Sequence, residues 1–105
     1  MKFPARIFGE IHGFDPAGLK ELQQKDLGPF EFKNDRLVVE HEGPPLDIES
    51  YLDEIAAALD EHGRGYVDYV DHDQWRVYRY QLKPGSWTCT TVNPDHALEG
   101  YHHLQ

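Results

Sequence analysis

Apolar and polar residues alternate from Phe3 to His12, with Phe3, Ala5, Ile7, Gly9 and Ile11 on one side and Arg6, Phe8, Glu10 and His12 on the other. A period of two sends successive side chains to opposite faces, so this stretch predicts a strand whose Ala5/Ile7/Ile11 side faces a core. Asp15-Pro16 then marks a helix start: Asp accepts from the unpaired amides of a first turn, and Pro has the φ that the first helical position needs. Leu19 and Leu22 form the buried face of that short helix, and Gly28-Pro29 stops it.

The next segment, Phe30 to His41, reads as a hairpin turning at Asn34-Asp35. Pairing outward from the turn sets Phe32 opposite Leu37 and Phe30 opposite Val39 on one face, with Glu31, Lys33, Arg36 and Glu40 on the other. A slip of one residue would expose every apolar side chain, so the pattern fixes its own register. His41 falls on the apolar side. After the Gly43-Pro44-Pro45 break, Ile48, Leu52, Ile55 and Leu59 recur at helical spacing, flanked by Tyr51 and Ala58. They predict a helix from Leu46 to His62, with Asp47 as its cap and Gly63 as its end.

Gly65 to Val92 predicts three antiparallel strands. A first turn centred on His72-Asp73 would pair Val70 with Trp75, Asp68 with Val77, Val67 with Tyr78 and Tyr66 with Arg79, leaving Asp68 and Arg79 as diagonal neighbours. A second, at Lys83-Pro84-Gly85-Ser86, would pair Leu82 with Trp87 and Tyr80 with Cys89, with Pro-Gly favouring a type II turn. The core side then carries Val67, Tyr69, Tyr78, Tyr80, Leu82, Trp87 and Cys89.

The resulting order, β-α-β-β-α-β plus two strands, predicts an α+β fold. It is a ferredoxin-like split βαβ unit with an added C-terminal β-hairpin extension, an antiparallel sheet carrying both helices on one face. At 105 residues the chain is expected to be one domain, 1–105, in which residues 93–105 form a short helical or frayed tail after Asn93-Pro94-Asp95. No apolar run has the length of a signal core or a membrane span. The lone Cys89 cannot close an internal disulfide, and a cytoplasmic protein is expected.

Charge sharpens the picture. The net charge is -9, and Glu40 to Asp73 holds eleven acidic residues against the single base Arg64. That balance argues against nucleic acid and anionic lipid as partners and leaves basic proteins or cations.

Three arrangements bear on function. Tyr66, Asp68, Val70, Trp75, Val77 and Arg79 join Phe8, Glu10, His12, Val38, Glu40 and Thr90 on the sheet face that the helices leave uncovered. Exposed aromatic and apolar groups gathered there would make a binding surface, with Phe8, Tyr66, Asp68, Val70, Trp75, Val77 and Arg79 as the expected contact residues. Asp71, His72 and Asp73 offer metal-ligating atoms, as does the Glu10/His12/Asp68 cluster, although Asp residues at a hairpin tip more commonly bond the local backbone. Glu10, Glu40 and Asp68 could approach as paired carboxylates.

The seven histidines, His12, His41, His62, His72, His96, His102 and His103, show no zinc-motif spacing. No phosphate-binding loop or nucleophile motif occurs either. The expected function is thus an acidic, non-catalytic module that binds a protein partner or itself as a homodimer, with no cofactor. The alternatives are a metal- or small-ligand-binding domain or minor enzyme, and an acidic neutraliser of a basic protein.

Overall fold

A computed structural model describes residues 4–92 of the chain. The elements run β1 (Ala5–Phe14), α1 (Pro16–Gln23), β2 (Phe30–Lys33), β3 (Arg36–Gly43), α2 (Glu49–Ala57), β4 (Leu59–Asp71), β5 (Arg76–Lys83) and β6 (Ser86–Val92). The strands form one six-stranded sheet in the order β2-β3-β1-β4-β5-β6, with every neighbouring pair antiparallel. The protein is therefore α+β, an open antiparallel sheet with two helices. The expected tail, with Asn93-Pro94-Asp95, His96, His102 and His103, lies outside the described residues.

Alternation decides which face is buried. Ile7 and Ile11 of β1, Leu37 and Val39 of β3, Val67 of β4, and Tyr80 and Leu82 of β5 point the same way and pack with Leu22, Ile48, Leu52 and Ile55 in one cluster. The β2–β3 register pairs Phe32 with Leu37 and Phe30 with Val39, as the alternation requires. Asn34 supplies the positive φ of that turn, at 61°. Asp15 caps α1 by accepting from the Gly18 amide at 3.2 Å, with Pro16 following it.

Two expectations are corrected. The second helix ends at Ala57 instead of His62, and β4 begins at Leu59. Asp60 and Glu61 would crowd the negative end of a longer helix. The chain instead leaves the helix through Ala58, and Leu59 pairs with Phe14 across a register shift in β1. Gly63 belongs to this irregular pairing: a Cβ there would collide with the Gly13 carbonyl, so only glycine lets the two strands approach so closely. At the helix start Asp47 accepts from the Glu49 amide at 3.1 Å, although Ile48 holds the capping position.

The second correction is the β4–β5 hairpin. Asp71 pairs with Arg76, so His72 to Trp75 form the loop and the partners lie two residues beyond the expected ones: Val70 opposite Val77, Asp68 opposite Arg79, Val67 opposite Tyr80. A shift of two keeps every strand residue on its expected face but moves Trp75 out of the strand. The cause is local. The Asp71 carboxylate accepts from the amides of Asp73 at 3.0 Å and Gln74 at 3.1 Å, which closes a wider loop than two residues can make. The β5–β6 register is the expected one, with Tyr80 opposite Cys89 and Leu82 opposite Trp87.

Candidate functional site

The face opposite the helices is laid out by register as three rows that cross the sheet. One runs Glu42, Arg6, Val70, Val77, Val92; the next Glu40, Phe8, Asp68, Arg79, Thr90; the third Glu31, Val38, Glu10, Tyr66, Gln81, Thr88. Of the expected contact residues, Phe8, Tyr66, Asp68, Val70, Val77 and Arg79 do share this face. Trp75 does not lie on it. It sits in the loop at φ 54°, with its ring 6.1 Å from that of His72, and is 43% exposed.

The face is less apolar and less open than its alternation implies. Val77 is only 4% exposed and Asp68 only 2%. The Asp68 carboxylate accepts from Arg79 Nε at 2.9 Å and from Nη2 at 3.4 Å, so the two are direct cross-strand partners and not diagonal ones. Glu10 is likewise engaged, accepting from Arg36 Nη1 at 2.8 Å. Arg6 lies 5.0 Å above the Phe8 ring and 3.6 Å from Glu42. The cationic partners Arg6 and Arg36, and Val92 beside Val77, belong to this surface and were not singled out from the sequence. Val92 could have been found by extending the β5–β6 register to its end.

Tyr66 is the exposed aromatic side chain of this face. It is 47% exposed and lies directly opposite Glu10. Two hollows meet at this pair. One, of about 840 Å³, is lined by Arg6, Phe8, Arg36, Val38 and Glu40 among others; the second, of about 500 Å³, by His12, Arg64, Gln81 and Leu82.

No protein family matches the chain, and neither a curated protein nor a solved structure matches it.

The metal-ligating arrangements are not assembled. Among the described residues no three His, Cys, Asp or Glu side chains are placed to hold a metal ion. Asp71 is committed to its loop amides, Glu10 to Arg36 and Asp68 to Arg79. Glu10, Glu40 and Asp68 do not form adjacent carboxylates either: the strand neighbour of both Glu40 and Asp68 is Phe8, and Glu10 faces Val38 and Tyr66.

A second polar cluster lies on the helix side. Tyr80 donates to Glu49 Oε2 at 3.1 Å, and Trp87 Nε1 donates to Asp53 Oδ1 at 2.8 Å, with the two rings edge to face at 5.4 Å. Burial, then the bond to Glu49, hold the Tyr80 phenol protonated well above the usual tyrosine range. Cys89 has the core-side parity expected of it but is exposed. Partial desolvation still pushes its thiol up, against a lowering bond from Tyr80, so it is a poor thiolate nucleophile. No helix among the described residues is long and apolar enough to cross a membrane.

Proposed function

We propose that this chain is a non-catalytic binding module, taking a protein partner or a second copy of itself against the open sheet face around Phe8 and Tyr66. The observation that carries this is the position of Tyr66, an aromatic side chain 47% exposed between two adjoining hollows, beside Phe8 with Arg6 over its ring. Tyr and Arg are the usual anchors of protein contacts because they combine large apolar area with directional polar groups. Mixed charge on the surrounding rows suits a protein surface better than a polyanion. The acidic composition and lone cysteine agree with a cytoplasmic setting. The order β2-β3-β1-β4 of the first four strands, with a helix after β1 and another after β3, supports reading them as a ferredoxin-like unit extended by β5 and β6.

The test is association measured for the native protein and for Tyr66→Ala and Phe8→Ala. Self-association is followed by sedimentation velocity, and partner capture from the host extract by mass spectrometry. Binding lost in both variants, with an unchanged far-ultraviolet spectrum, supports the reading. Partner capture that survives both substitutions overturns it, as does a protein that captures nothing and whose self-association neither substitution weakens.

A further inference from the structure

The two edges of the sheet are built differently. The β2 edge is short, with four residues, and carries Glu31 and Lys33. Short, charged edges are the usual protection against pairing with another strand. The β6 edge has seven residues, Ser-Trp-Thr-Cys-Thr-Thr-Val, with no charge, proline or glycine. It lies within the longest uncharged stretch of the sequence, from Pro84 to Pro94, in a chain that is 28% charged. Its pairing to β5 runs without a bulge from Lys83 opposite Ser86 to Val77 opposite Val92. Among the described residues no strand pairs with its outer side.

Register fixes which main-chain groups face outward. Lys83 and Ser86 flank a two-residue turn, Pro84-Gly85, with Gly85 at φ 80°. The pair flanking such a turn exchanges hydrogen bonds, and pairs then alternate along the ladder. Ser86, Thr88, Thr90 and Val92 therefore bond to β5, whereas Trp87, Cys89 and Thr91 point their N–H and C=O groups away from the sheet.

We propose that β6 is the dimer edge of this protein, and that its occupant is a second copy of the chain, paired antiparallel about a two-fold axis at Cys89. In this register Cys89 meets Cys89 of the second copy, Trp87 meets Thr91, and Thr88 meets Thr90, so each outward-facing residue exchanges both main-chain bonds and the strands overlap over their whole length. A second copy fits better than an unrelated peptide for a reason of charge. A seven-residue strand without a charge offers a foreign strand no ionic cue to orientation, but two copies meet with no like charges opposed and with threonines facing threonines. The pairing extends the binding-module reading, since it joins the two open faces into one continuous surface.

The test uses the full chain. Sedimentation equilibrium should show a dimer, and hydrogen exchange should show the amides of Trp87, Cys89 and Thr91 gaining protection as concentration rises. Thr91→Pro removes an outward donor without touching a bond to β5, and Cys89→Lys opposes two like charges at the axis. Each should weaken the dimer at least about tenfold. If Thr91→Pro fails to fold, Cys89→Lys and the exchange pattern of the native chain decide. A monomer at millimolar concentration overturns the inference. So does a dimer whose Trp87, Cys89 and Thr91 amides exchange freely; if Tyr66→Ala dissolves that dimer, the open-face reading stands while the edge proposal falls.

Discussion

Asp68 and Arg79 face each other across β4 and β5, joined by two hydrogen bonds of 2.9 and 3.4 Å, and their burial is unequal: the Asp68 side chain is 3% exposed and that of Arg79 33%. A buried charge depends on its partner more than a half-solvated one does, because water can replace the partner only for the latter. The pair thus fixes the centre of the open face while leaving the guanidinium within reach of solvent.

That asymmetry sets the order of two substitutions. Arg79→Gln strands the Asp68 carboxylate in the sheet and should cost about 2–3 kcal/mol, below most of the range for breaking a fully buried pair because water reaches the arginine side. Asp68→Asn keeps an acceptor oxygen facing Arg79, whose guanidinium is also partly in solvent, and should cost about 1–2 kcal/mol. Urea midpoints of the two variants should fall in that order, and the reverse order would show that Arg79 contributes little to holding Asp68.

Close backbone approach makes a second prediction. In the β1–β4 pairing, a Cβ on Gly9 would collide with the Tyr66 carbonyl and lie 2.7 Å from Val67 Cα, both main-chain atoms that cannot rotate away. Gly9→Ala should destabilise the fold by about 3 kcal/mol or more. Gly85 has a positive φ but nothing within 4 Å of the same position. Gly85→Ala should cost about 1–2 kcal/mol, from backbone conformation alone. Thermal unfolding of both variants separates collision from conformation.

What the sequence made legible follows from how far each signal reaches. Alternation fixed the faces of β1, the β2–β3 hairpin and the β5–β6 register, because a slip of one residue would expose a whole apolar row. The end of α2 was not legible: Leu59 fits helical spacing as well as it fits a strand opposite Phe14, and only the tertiary approach of Gly13 and Gly63 selects the strand. The β4–β5 partners lie two residues beyond the expected ones, a shift that leaves face assignments unchanged and is therefore invisible to alternation. The ion pairs of Glu10 with Arg36 and of Asp68 with Arg79 needed the exact strand partners or long side-chain reach. The sequence places Arg79 only diagonally from Asp68, and it gives no sign that Arg36 reaches Glu10.

The Asp71-His72-Asp73 triplet offers a direct check on its role. Because Asp71 Oδ1 accepts from two loop amides, Asp71→Ala should lower stability by about 1 kcal/mol, whereas Asp71→Asn, which keeps that oxygen, should recover most of the loss. Chemical denaturation of the three proteins measures the difference. Equal losses in both variants would mean that the negative charge, not the acceptor, matters at this position.

The last prediction concerns alkaline pH. Burial and the bond to Glu49 raise the proton affinity of the folded-state Tyr80 phenol above that of the unfolded chain. Its stabilising contribution is therefore complete below the unfolded phenol's pKa of about 10 and is lost as pH rises beyond that value toward the higher folded-state one. Urea midpoints of the native protein should fall more steeply from pH 10 upward than those of Tyr80→Phe, although the variant should begin lower, having left Glu49 without its donor. In a phenolate titration followed by ultraviolet absorbance, the latest-ionising component should vanish in Tyr80→Phe. Parallel pH dependence of the two proteins would show that Tyr80 ionises like an exposed tyrosine, and that its hydrogen bond to Glu49 does not persist in solution.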